Sequence, residues 1–196
     1  MAAVAPVIAH AARAAAVLNF WFGDNLVDPK PNFELWYGGT PAIDADITAK
    51  FGADVEAAVA GKYNSWLQTP HEALALVVLL DQFSLNVYRD QPKGYDVSAS
   101  AIPLSYTAIG RGFDQNMADS MRSFFWMPLM HSELLVDQDK CVEIYRKNNF
   151  DETGTGFAVT HRDIVAKYGR FPGRNVVHGR KSTPEEEKYL ADGGVF

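Results

Sequence analysis

The sequence predicts an all-α fold, and three observations carry that expectation. Apolar residues recur at helical spacing in one segment after another. No run alternates apolar and polar residues between hairpin turns. Two Thr-Pro pairs, Thr69-Pro70 and Thr183-Pro184, open segments as helix caps do.

A first helix should run through Val17, Leu18 and Trp21 and end near Gly23. The stretch 24–40 holds Pro29, Pro31, Gly38 and Gly39, which predicts loop with at most one helical turn. Ile43, Ile47, Phe51 and Val55 recur every fourth residue and make one stripe of a second helix, ended by Gly61. Thr69, Pro70 and Glu72 start a third, with body Ala73 to Tyr88. It is apolar nearly all round until Leu80, so it should be the central helix. A fourth spans about Asp96 to Ile109, with Pro103 kinking it or delaying its start. A fifth runs from Gln115 to Gln138, with Pro128 midway. A sixth starts at Thr160, capped by a box with Asp163, and stops at Gly169. The last opens at Thr183. About seven helices with short links make an antiparallel bundle or layers of the tetratricopeptide type.

The 196 residues read as a single helical domain over 1–196, with 1–16 a frayed, Ala-rich leader or the start of the first helix. A net charge of −6 argues against nucleic acid, because phosphate binding needs clustered Lys and Arg. The basic stretch from Arg162 to Lys181 is the local exception and reads as a solvated basic face or an anion site. No apolar run is long enough to span a membrane. A lone cysteine, Cys141, and no Asn-x-Ser/Thr sequon fit a reducing, cytoplasmic setting. Cys141 lies in a helical pattern and reads as a buried structural thiol.

Three polar clusters stand where apolar residues would be expected. Asp81, Gln82 and Asn86 end the most apolar helix, and Gln82 and Asn86 share a face. His131 and Glu133 follow Pro128 and the run Phe124 to Met130. His161 sits on the apolar face of its helix, followed by a loop holding Arg170, Arg174 and Asn175. A buried carboxylate or imidazole costs free energy unless paired, so each could equally satisfy a helix end or tie the bundle together. As a set they would line one pocket: His131 or His161 as acid/base, Asp81 or Glu133 orienting it, and Arg170 and Arg174 holding an anionic group. Gln82, Asn86 and Asn175 would supply hydrogen bonds, and Phe83, Phe125 and Trp126 a dry wall. No phosphate loop, His-Glu-x-x-His, Gly-x-Ser-x-Gly or Cys-x-x-Cys occurs, and no cofactor or metal is called for.

The stretches Val17-Leu18-Asn19-Phe20-Trp21-Phe22-Gly23, Leu79 to Asn86, Phe124 to Glu133, His161-Arg162-Asp163-Ile164, Gly169 to Asn175 and Ser182 to Glu186 carry a resemblance. The sequence resembles the domain-of-unknown-function family nine-two-four over about Val17 to Leu190. The resemblance implies an all-α fold of tetratricopeptide-like layers and no established activity. Two positions depart from the family's usual pattern: Leu85 stands where Arg is usual, and Gly173 where His is usual. Each takes a charge-bearing group out of the implied pocket.

Three functional readings compete: a small-molecule site with acid/base chemistry, a tetratricopeptide-like module taking a partner's peptide in an open groove, and an assembly role in which the clusters are buried ion pairs. Homodimerisation is compatible with each.

Overall fold

The structure, a computed structural model, describes residues 4–194 and 196, with the side chains of 4–9 left aside. It is all-α, with no strand among the described residues. Its contacts gather into two compact units, Met1–Arg89 with Lys93–Pro128, and Asp90–Pro92 with Leu129–Phe196.

In the first unit, α1 (Val4–Phe22) buries Ala14, Val17, Leu18, Trp21 and Phe22, which lie on one helical face. Of the expected leader, residues 1–3 lie outside the described residues, and the chain is helical from Val4. Gly23 stops α1 at φ +82, a left-handed conformation suited to glycine, and its N–H donates to Asn19 O at 2.9 Å. α2 (Phe33–Tyr37) is the single turn within the Pro- and Gly-rich stretch, and Asn32 caps it by accepting from the Leu35 N–H. α3 (Pro41–Val59), capped by Thr40, buries Ile47, Phe51 and Val55, while Ile43 is half-buried. Arg13 of α1 forms an ion pair with buried Asp54 of α3, which also accepts from Tyr63 Oη at 2.8 Å.

The central helix is not regular. α4 (Pro70–Val77) passes into a π-helical segment, Val78–Phe83, and resumes as α5 (Ser84–Val87). Every residue from Ala73 to Ser84 is buried, as the all-round apolar pattern requires. Thr69 does not cap through the backbone; its hydroxyl donates to Glu72 Oε2 at 2.8 Å. Phe83 packs on Trp21, Phe51 and Phe20 at ring separations of 5.2, 5.0 and 5.8 Å. Phe124 joins the same aromatic core through Phe22 and Trp36, at 5.1 and 5.0 Å.

The expected helix over Asp96 to Ile109 is two, α6 (Pro92–Ala99) and α7 (Ile102–Gly110). Pro103 falls in the first turn of α7, where its missing N–H costs nothing. The expected helix to Gln138 is also divided. α8 (Asp119–Met130) ends soon after Pro128, and α9 (Leu135–Lys147) begins anew.

In the second unit, α10 (Glu152–Tyr168) starts well before Thr160. Asp151 is its cap, accepting from the Gly154 N–H at 2.9 Å. Gly154 and Gly156 inside the helix read as breakers in sequence, which hid this start. Thr160 bonds back to Gly156 O at 3.0 Å, so it is no cap. Gly169 ends α10 at φ +71. Thr183 and Glu186 form the reciprocal capping box of α11 (Pro184–Ala191). Ile164, Val165 and Phe171 form the core of this end, with Tyr168 and Tyr189 against it. No described helix is long and apolar enough to cross a membrane.

Phe83→Ala should lower the unfolding free energy by about 3–5 kcal/mol, the cost of emptying a fully buried aromatic site. Urea unfolding followed by circular dichroism measures it; an unchanged midpoint would show that the aromatic core does not depend on Phe83.

Candidate functional site

The break between α8 and α9 shapes the second unit. A helix end and the bend after it leave carbonyls without partners, and here three consecutive ones, that of Met130 ending α8 and those of His131 and Ser132 beyond it, are met by side chains. Gln138 Nε2 donates to Met130 O and to Ser132 O, each at 2.6 Å. Arg174 donates through Nη1 to His131 O at 2.9 Å. Ser132 turns the chain into α9: its hydroxyl donates to Asp137 Oδ2 at 2.6 Å and accepts from the Leu134 N–H. His131 and Glu133 are thus held on a pinned bend.

His161 comes from α10 and lies with its ring 6.5 Å from that of His131. It is 5% exposed. Its Nδ1 is 2.8 Å from Phe157 O, and a carbonyl only accepts, so Nδ1 carries the proton and Nε2 the lone pair. Burial pushes His161 down to about 4; the charges of His131 and Arg174 push the same way, against the Phe157 contact. The ring is neutral at pH 7. Arg174 also lies over the face of buried Phe171, its guanidinium carbon 4.3 Å from the ring centre.

The other predicted residues of this unit have structural partners. Burial alone would raise the Glu133 carboxyl, but the fork of Arg180 and the Phe171 N–H hold it below its ordinary value. Arg170 makes a two-pronged bond to buried Glu186, at 2.7 and 2.8 Å, and pulls that carboxyl down to about 2. Asn175 donates to Ser182 Oγ at 3.0 Å and lies beside Glu186. Arg162 pairs with Asp139 and Asp163, and Lys167 with Glu185. The basic stretch is therefore largely paired within the chain.

The predicted residues of the first unit form separate groups. Asp81, fully buried, accepts from Ser98 Oγ at 2.7 Å and from Gln82 Nε2. Gln82 also touches Met127 Sδ at 3.8 Å. Asn86 donates to Asp44 Oδ1 at 2.8 Å, beside the Arg89–Asp44 pair. Trp126 Nε1 donates to buried Asp114 at 3.0 Å.

Sequence reasoning missed Gln138, Arg180 and the Arg170–Glu186 pair. Glu186 was legible only as a cap, and nothing in a lone Gln at a buried helical position marks it as a clip for two distant carbonyls. Among the described residues no three His, Cys, Asp or Glu side chains gather as a metal set. Burial pushes the Cys141 thiol up to about 12, which leaves it protonated and unreactive. An open groove of ≈ 500 Å³ runs between α9 and α10, lined by Val142, Val159 and the charged Asp139, Glu143, Arg146, Arg162 and Asp163.

Fold and site define an all-α protein with buried His161 beside half-buried His131 and Arg174 in one compact unit and a buried carboxylate on a π-helical segment in the other. The chain belongs to the family of bacterial proteins of unknown function DUF924, which matches residues 17–194. It is similar to a solved protein of unknown function, ATU0120 from Agrobacterium tumefaciens, at 32% identity and a TM-score of 0.84, over 93% of this chain and 99% of that one. No curated protein matches it.

Gln138→Leu should cost about 1–3 kcal/mol for each buried carbonyl left unmade and should broaden the His131 signals in NMR spectra. Retained stability would show that the bend holds itself. A second outcome concerns pH. His161 has a folded value near 4 against an ordinary 6.5. Its contribution to stability is whole above 6.5 and is lost as pH falls toward 4, because the unfolded chain takes up a proton that the folded chain refuses. The loss is on the order of 3 kcal/mol. His161→Gln should flatten that part of a denaturation-against-pH curve, and an identical slope in both proteins would contradict the buried neutral ring.

Proposed function

We propose that the second unit binds a small anionic molecule and works on it by acid/base chemistry. The observation that supports this is the meeting of two imidazoles with Arg174 in one unit, from residues far apart in sequence. His161, with its Nδ1 proton held by Phe157 O, offers Nε2 as a base. A bound anion would raise its affinity for a proton toward the working range. His131, half-buried on the pinned bend, is the partner that gives or takes the second proton. Arg174 supplies the positive charge, which falls on His161. Glu133 acts through Arg180 and the Phe171 N–H, so it positions the loop and does not handle protons. We read the chain as cytoplasmic, since its one thiol is buried and protonated, and as having no nucleic-acid partner, since its basic stretch is largely paired internally.

Titration with inorganic phosphate and with acetate tests the reading. Both should shift the imidazole signals of His131 and His161 saturably. Arg174→Met should weaken that binding about tenfold or more, as expected for loss of a charge-assisted contact, with the helical spectrum intact. Anions that leave both histidines unmoved, or that bind the variant equally well, would end it. The second reading, a tetratricopeptide-like module, rests on the open groove between α9 and α10. It requires a charged peptide to shift residues such as Arg146 and Val159 and to bind the Arg174 variant unchanged.

A further inference from the structure

The histidine–arginine cluster has an intramolecular occupant. The Phe196 ring lies on His161 at a centroid separation of 4.0 Å and an interplanar angle of 41°. It meets Phe171 edge-on at 6.3 Å and 63°. His161 and Phe171 are themselves 5.7 Å apart and near-perpendicular, so together they form a corner for a flat ring. The backbone is held as well. Phe196 O accepts from the Gly173 N–H at 2.7 Å. A Cβ on residue 173 would come within 2.6 Å of Phe196 C and 2.8 Å of its O, both backbone atoms. Only glycine at 173 permits this approach.

The docking is not core packing. His161 and Phe171 are buried, at 5% and 0% exposure, whereas Phe196 is 39% exposed. Its φ of +74 is one that a bulky side chain adopts at a cost. Gly193, at φ +89, turns the chain back after α11. A half-exposed ring in a strained conformation, on two buried rings, has the character of a replaceable occupant. What it fills describes what would replace it: a flat ring for the corner and an oxygen acceptor for the Gly173 N–H; the negative charge is that of the anion site proposed above.

We propose that the site takes an aromatic carboxylic acid, and that Phe196 stands in for its ring when the site is empty and competes with it. This rests on the anion site proposed above and adds the ligand's aromatic part. A docked residue lowers the apparent affinity by the fraction of molecules in which the site is open. Removing the occupant therefore raises affinity for ligands that need the corner, and leaves affinity for those that do not.

The full-length protein is titrated with phenylacetate and, as the ringless control, acetate, each followed by the His131 and His161 imidazole signals. Phe196→Ala removes the ring. Phe196→Gly removes it together with the constraint that a bulky residue meets at φ +74. Both should bind phenylacetate at least about tenfold more tightly than the parent chain, the gain expected if the occupant is docked in nine molecules of ten or more. Acetate affinity should not rise in either. No gain for phenylacetate in either variant overturns the proposal, and so does an equal gain for acetate, which would mean that Phe196 shields only the anion subsite. In both cases acetate binding that depends on Arg174 leaves the anion site standing. If neither acid moves the histidines in any variant, the anion site itself fails and takes this inference with it.

Discussion

Three consecutive carbonyls, those of Met130, His131 and Ser132, are the constraint from which the second unit follows. A helix that stops inside a protein, and the bend that follows it, must hand their carbonyls to other donors or lose about 1–3 kcal/mol at each buried one. Gln138 takes the first and third and Arg174 takes the second. The break is thereby fixed, with His131 and Glu133 on it. Arg174 is tied to the same bend, and its charge falls on both His161 and Glu133. The meeting of histidine and arginine is a consequence of how this helix ends.

Two acidic anchors then order the loop that follows α10. Glu133 receives the Phe171 N–H and the Arg180 fork, and Glu186 receives the Arg170 fork while closing its own capping box. Phe171, gripped from one side by its backbone and stacked by Arg174 on its face, becomes a buried wall beside His161. Charges that look like a basic surface stretch in sequence serve instead to position an apolar ring. Forked Arg–carboxylate bonds suit this role because they fix orientation as well as distance.

The first unit solves a different problem. Its central helix is apolar on every side and yet carries Asp81 and Gln82 within the π-helical turns. Such turns recur at functional positions in helices, and here they coincide with a fully buried carboxylate held by Ser98 and Gln82. Two of its partners, Ser98 and Gln82, are neutral donors from its own unit.

The sequence alone determined the helical class, the all-round burial of Ala73 to Leu80, and the stops at Gly23 and Gly169. It also determined the capping box at Thr183 and the inward face of His161. These follow from periodicity and from backbone conformations that particular residues favour, both local properties. Helix ends governed by tertiary contacts were not legible. The new start at Leu135 depends on Gln138 and Arg174 meeting carbonyls. The early start of α10 runs through Gly154 and Gly156, which packing overrides as breakers. The site was half legible. His131, His161 and Arg174 stood out as polar residues among apolar ones. That Arg170 would face Glu186, that Arg180 would face Glu133, and that Phe196 would settle on His161 were settled only by which surfaces the folded chain brings together. Pairing between residues far apart leaves no periodic trace, because it depends on where two side chains end up and not on how far apart they stand in the chain.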